Sequence, residues 1–227
     1  MTTDGVIERG RAAFDRHAWT AALEAFRAAD GEAPLGFADL ERAGLVAHLI
    51  GHDDEAVALW GRAYHEAIRT EDDISAARQA IRLGMILASR GDMAVGGGWL
   101  ARGARLVEES GIDCVERGWV LIPDGLRQLD SGDPAAAFEI FDRAAAIAER
   151  FGDADLRTLT RLGRGRALID LAEVPRGVAL LDEVMVAVTA GEVGPIIVGV
   201  VYCASIEAFH AIFDLRRAQE WTEALAA

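Results

Sequence analysis

The chain has 227 residues, 52% of them hydrophobic and 26% charged, with a formal net charge of −14 and a sequence pI of about 4.7. That apolar content supports a sizeable core and excludes a disordered chain, and no run approaches the ~18 uncharged apolar residues of a membrane-spanning helix. The excess of acids opposes the phosphate backbone and anionic lipid, so neither direct nucleic-acid binding nor a membrane role is expected.

The N-terminal stretch "MTTDGVIERGRAAF" is polar and acidic early, unlike a secretory leader. Cys114 and Cys203 lie far apart without metal-like spacing. They read as two free thiols of a cytoplasmic protein. From there on the chain reads as helix. Ala, Leu, Arg and Glu dominate, and apolar residues recur at steps of three and four. Breaks fall at "DGEAPLG", "GHDD", "RTEDD", "SRGD", "SGDP", "RFGDAD", "AEVP" and "TAGEVGP", where Gly, Asp and Pro stop one helix and start the next. About a dozen helices of roughly 12 to 20 residues follow, with no period-two strand.

These helices align on one another in pairs. A small residue recurs at Ala22, Ala56, Gly96, Ala137, Gly177 and Ala218, at steps of 34, 40, 41, 40 and 41. Four positions later stands a bulky residue, Phe26, Trp60, Leu100, Phe141 or Leu181; the sixth unit has Thr222 there, beside Trp221. Seven after the small residue come Ala29, Ala63, Gly103, Ala144, Val184 and Leu225. Twelve before it, on the first helix of each pair, come Gly10, Gly44, Gly84, Gly125, Gly165 and Ile206. The columns mark places where two helices nearly touch, so Gly96, Gly103, Ala137 and Gly177 are read as close-contact positions.

The third unit contains "GDMAVGGGWLARGARL". Its glycines are not a phosphate loop: no Lys and Ser or Thr follow them, the dinucleotide spacing is wrong, and no strand precedes them. Gly96 and Gly103 belong to the columns. Gly97 and Gly98 are extra, and suggest an unusually close neighbouring helix or a bent helix start. His48 and His52 stand four apart in "HLIGH", but Gly51 interrupts the helix and no third ligand has readable spacing, so no metal is expected. Ser75, Ser89, Ser110, Ser131 and Ser205 lack a nucleophile elbow. Neither a cofactor nor a catalytic residue is assigned, and an enzyme is not expected.

The paired pattern resembles the tetratricopeptide repeat, whose units are helix hairpins with small residues at the close contacts. Aromatics usual on the first helix are often missing, as at Ala13 and Ala47, and most units exceed the ~34-residue period. The resemblance implies an all-α, right-handed α-solenoid of about six hairpins, read as one domain over residues 1–227. Segments such as "GRAAFDRHAWTAALEAF", "GGGWLARGARLVEE", "DCVERGWVLIP" and "DLRRAQEWTEAL" further resemble the helical-repeat region of LuxR-type transcriptional regulators from high-GC bacteria. In that family a C-terminal helix-turn-helix binds DNA; no such motif lies in these 227 residues. The family implies a sensing or partner-binding role.

In a solenoid the concave face is the useful surface, and in the resembling repeat family the first helix of each pair lines it. Transferred to this register, the groove positions are Arg11, Phe14, His48, Arg78, Arg82, Met85, Trp119, Arg166, Glu207 and His210. Arginine, histidine and aromatic groups so placed suit a protein or peptide partner, an acidic peptide above all, or a small anionic effector. The alternative for the arginines is a set of solvated ion pairs. The last helix carries Leu215, Trp221 and Leu225, and predicts either a following repeat or a homodimer through the C-terminal hairpin.

Overall fold

A computed structural model of the protein describes residues 3–226, and every regular element among them is a helix. The helices group into two compact units, Met1–Ile112 and Asp113–Ala227. The first holds three packed pairs: α1 (Thr3–Asp15) with α2 (Trp19–Glu32), α3 (Phe37–Leu49) with α4 (Asp53–Arg69), and α5 (Asp73–Ser89) with α6 (Met93–Ser110). In the second, α7 (Glu116–Trp119) and α8 (Ile122–Asp130) pack on α9 (Pro134–Phe151). Then α10 (Ala154–Asp170) pairs with α11 (Val174–Thr189), and α12 (Pro195–Ala211) with α13 (Leu215–Ala226). The architecture is all-α and made of consecutive helix hairpins, as the register of small and bulky residues predicts.

Why these segments form hairpins is visible in two repeated devices. Seven residues after each first-helix column position the backbone turns through positive φ: His17 (57°), Gly51 (81°), Gly91 (91°), Gly132 (80°), Ala172 (64°) and Phe213 (59°). The next amide then donates back to a first-helix carbonyl, from His52 to Ala47, Asp92 to Leu87, Asp133 to Gln128 and Glu173 to Leu168, at 2.8–2.9 Å. This is the closing bond of a left-handed helix stop. The second device is a knob on one helix and a gap on its partner. A Cβ placed on Gly44 would sit 2.5 Å from the Trp60 ring, one on Gly84 2.6 Å from Leu100, and one on Gly125 2.6 Å from Phe141. Trp60, Phe26, Phe141 and Leu181 are in consequence wholly buried. The sixth pair exchanges the sizes, with Ile206 in the glycine column and Thr222 in the bulky one.

Two breaks escape the sequence reading. Gly111, at φ 64°, ends α6 just before the boundary between the units. The first helix of the fourth pair is split after Trp119. Pro123 accounts for the split: it has no N–H for the carbonyl four residues back, which is Trp119, and its ring crowds that carbonyl. The extra glycines of the third pair also behave differently from expectation. A Cβ on Gly97 or Gly98 would meet nothing within 4 Å, and α6 runs unbroken through both. No close neighbour and no bent start explains them.

Candidate functional site: the first-helix faces

In the first unit the exposed sides of α1, α3 and α5 carry six of the ten groove positions. Arg11 on α1 is half-buried and committed to its own fold. Its Nε and Nη2 donate to the two carboxylate oxygens of Asp39 at 2.9 and 2.6 Å, and its Nη1 donates to Glu8. Asp39 is only 4% exposed, and it also accepts from Arg42 at 3.1 Å. The bidentate bond from Arg11 is the main reason that the Asp39 carboxyl is held below its ordinary range, and the same bond holds the Arg11 guanidinium firmly charged. A buried carboxylate with two arginine partners ties α1 to α3.

The next cluster joins α3, α4 and α5. The guanidinium of Arg82 lies over the Trp60 ring, 5.3 Å from its centre. Its Nη1 reaches Glu41 at 3.4 Å and Gln79 at 3.3 Å. Gln79, wholly buried, donates to the same Glu41 oxygen at 2.5 Å, while the Trp60 indole N–H donates to the Glu41 carbonyl at 3.3 Å. Stacking and tethering preset the planar fork of Arg82. Arg78 lies one turn earlier on α5, exposed, and Met85 one turn later, half-buried. Phe14 packs edge-on against Trp19 at 5.7 Å. His48 is 2.7 Å from Asp53 through Nδ1, and its ring lies 5.9 Å from that of Trp60. His52 turns instead toward Arg27 and Glu55. The two histidines thus serve different carboxylates.

The second unit holds the other four. Trp119, on the single turn α7, approaches Asp153 with its indole N–H at 3.4 Å. Arg166 on α10 and Glu207 on α12 line one small cleft of about 80 Å³, together with Ile169, Asp170, Ala208 and Ala211. His210 is exposed farther along α12.

Of the close-contact positions, a Cβ on Gly96 would come 2.8 Å from the Gly84 carbonyl, one on Gly177 2.6 Å from the Gly165 carbonyl, and one on Gly103 2.8 Å from Ile81. Ala137 is wholly buried. Sequence reasoning misses Asp39, Arg42, Glu41 and Gln79, which organise the first unit's face. The available signal is the register itself: Arg42 stands two before Gly44 as Arg82 stands two before Gly84, so the two arginines are equivalent. It also misses Asp170, one helical turn after Arg166.

No family model matches the chain, and no curated protein does. Solved structures do resemble it. PilF of Pseudomonas aeruginosa matches over 98% of this chain and 90% of its own, at 17% identity and a TM-score of 0.55. A Rap protein, solved in complex with Competence and Sporulation Factor, matches over 99% of this chain at 17% identity and a TM-score of 0.64; this chain spans 64% of it. A Podosopora anserina putative kinesin light chain, described as carrying nearly identical TPR-like repeats, matches over 84% of this chain and 96% of its own, at 13% identity and a TM-score of 0.54. At these identities the likeness establishes the fold, which is tetratricopeptide-repeat-like.

Proposed function

We propose that this chain is a non-catalytic interaction or sensor module that holds a protein, peptide or small effector on its first-helix faces. We read it as the regulatory part of a LuxR-type transcriptional regulator, with the DNA contacts made by another segment. The observation that carries the reading is Arg82, stacked on Trp60 and tethered to Glu41 and Gln79 beside Met85 and Arg78. Such an array positions donors at the surface rather than sealing a core, and costs little further ordering when a ligand arrives. The similar Rap structure, which carries a bound factor, supports the same use of the fold. The regulator context rests on the LuxR-type resemblance and implies a cytoplasmic setting.

The test is a thermal-shift screen of the purified chain against peptides and metabolites, since a ligand of the native state raises its midpoint. Binders that stabilise the wild type and fail to stabilise Arg78→Gln or Arg82→Gln support the reading. Binding indifferent to every first-helix substitution overturns it. A helix-turn-helix encoded in frame after Ala227 would support the regulator context.

A second reading, a scaffold or oligomerisation protein, is favoured by the C-terminal hairpin. Phe213 is 85% exposed, Leu215 58% and Leu225 51%. A two-fold dimer would bury such a patch against itself. Light scattering decides: a dimer dissociated by Phe213→Ser with Leu215→Ser supports this reading, and a monomer at high concentration removes it.

A further inference from the structure

The cleft between α10 and α12 contains three charges that the fold leaves unused. Among the described residues, Arg166, Asp170 and Glu207 form no ion pair and no side-chain hydrogen bond, although all three line the same cleft. Most arginines of this chain are engaged by carboxylates: Arg11, Arg27, Arg62, Arg82, Arg157 and Arg217 all have acidic partners within 4 Å. Opposite charges around one cavity without pairing leave room for a third party between them. The remaining lining is apolar, from Ile169, Ala208 and Ala211.

The complement of this lining is a small molecule carrying one anion and one cation on a short apolar frame. We propose that the cleft binds the head of a free α-amino acid. Its carboxylate meets the guanidinium of Arg166, which offers a planar fork of donors. Its ammonium meets Asp170 and Glu207, which accept, and its side chain lies along Ile169 and Ala211. At about 80 Å³ the cleft matches an amino-acid head group, well below the ~300 Å³ at which pockets for larger ligands begin. Within a peptide chain, ammonium and carboxylate are consumed in amide bonds, so the cleft discriminates against internal peptide residues. This inference rests on the reading of the first-helix faces as a binding surface, and names the effector class for the second unit.

The experiment is isothermal titration of the full chain with leucine, leucinamide, N-acetylleucine and a tripeptide, alanyl-leucyl-alanine blocked at both ends. Leucine is expected to bind about tenfold or more tighter than either the amide or the acetyl derivative, the scale of one lost charge-assisted contact. Arg166→Gln is expected to abolish the preference for leucine over leucinamide, while keeping that over N-acetylleucine. Asp170→Asn with Glu207→Gln is expected to do the reverse. Circular dichroism checks that each variant is folded. Leucine binding no tighter than its two derivatives, or not at all, overturns the proposal, as does an unchanged preference in the variants. Binding of the blocked tripeptide in place of leucine would overturn the amino-acid site and leave the interaction module standing. Failure of every probe overturns the amino-acid site alone, because the interaction module is tested by the thermal-shift screen.

Discussion

At the scale of single residues, glycines inside helices have opposite roles. A methyl group on Gly177 would lie 2.6 Å from the Gly165 carbonyl, a backbone atom that cannot rotate away. Gly177→Ala is expected to destabilise by roughly 1–3 kcal/mol through overpacking. Gly98→Ala, in open space within α6, is expected to stabilise by roughly 0.5–1 kcal/mol, because alanine loses less conformational freedom in a helix. Chemical denaturation midpoints should move in opposite directions. Asp39 supplies the pH dependence. Arg11 holds its carboxyl below the ordinary range, so the unfolded chain takes up the proton first. The stabilisation is complete above the unfolded carboxyl value of about 3.9 and is lost as pH falls through the lower native value. Asp39→Asn should lower stability at neutral pH and flatten the acid limb of the stability curve. If the two curves keep the same separation from pH 7 down to the acid transition, the pair with Arg11 is not the source.

At the scale of the helical element, Phe141 is the clearest knob. It enters from α9 between Gly125 and Gly163, each of which would place a Cβ 2.6 Å from its ring. Phe141→Ala is expected to cost roughly 3–5 kcal/mol, since the two glycine backbones cannot collapse into the void. A loss below about 1 kcal/mol in denaturant titration would show that the ring is not a packing anchor. The pairing of knob and gap is legible in the sequence because both partners recur at fixed distance. Gly44 with Trp60 and Gly125 with Phe141 repeat the same interval of sixteen. Other features have no such echo. The split after Trp119 depends on one proline, Pro123, with no counterpart in the other first helices. The burial of Asp39 is set by Arg11, 28 positions away, a pairing that no local periodicity encodes. At the candidate site the ten positions sort by environment rather than by residue type. Arg11 looks like Arg166 in the register, yet Arg11 has a buried carboxylate within reach and Arg166 has none among the described residues.

At the scale of the whole molecule, charge sets the terms of association. The chain carries 37 acidic and 23 basic side chains, and many of the arginines already have acidic partners, as Arg27 has Glu55 and Arg62 has Asp30. No binding of this chain to duplex DNA is expected at moderate salt, because few cations are left to displace counterions from the phosphates. A salt-dependent micromolar complex in an anisotropy titration would contradict this. Within each unit every hairpin leans on its sequence neighbours, so stability is a sum of local couplings and one weak helix need not bring down the others. The open glycines of α6 make that helix the candidate for a soft spot. Each lowers the local helix by roughly 0.5–1 kcal/mol without any neighbour to compensate. α4 carries one open glycine, Gly61, against the two of α6, so the amide protons of α6 should exchange with solvent roughly two- to fivefold faster than those of α4. Under native conditions, a deuterium-labelling time course of the first unit would then show α6 opening and closing a few times for each opening of α4.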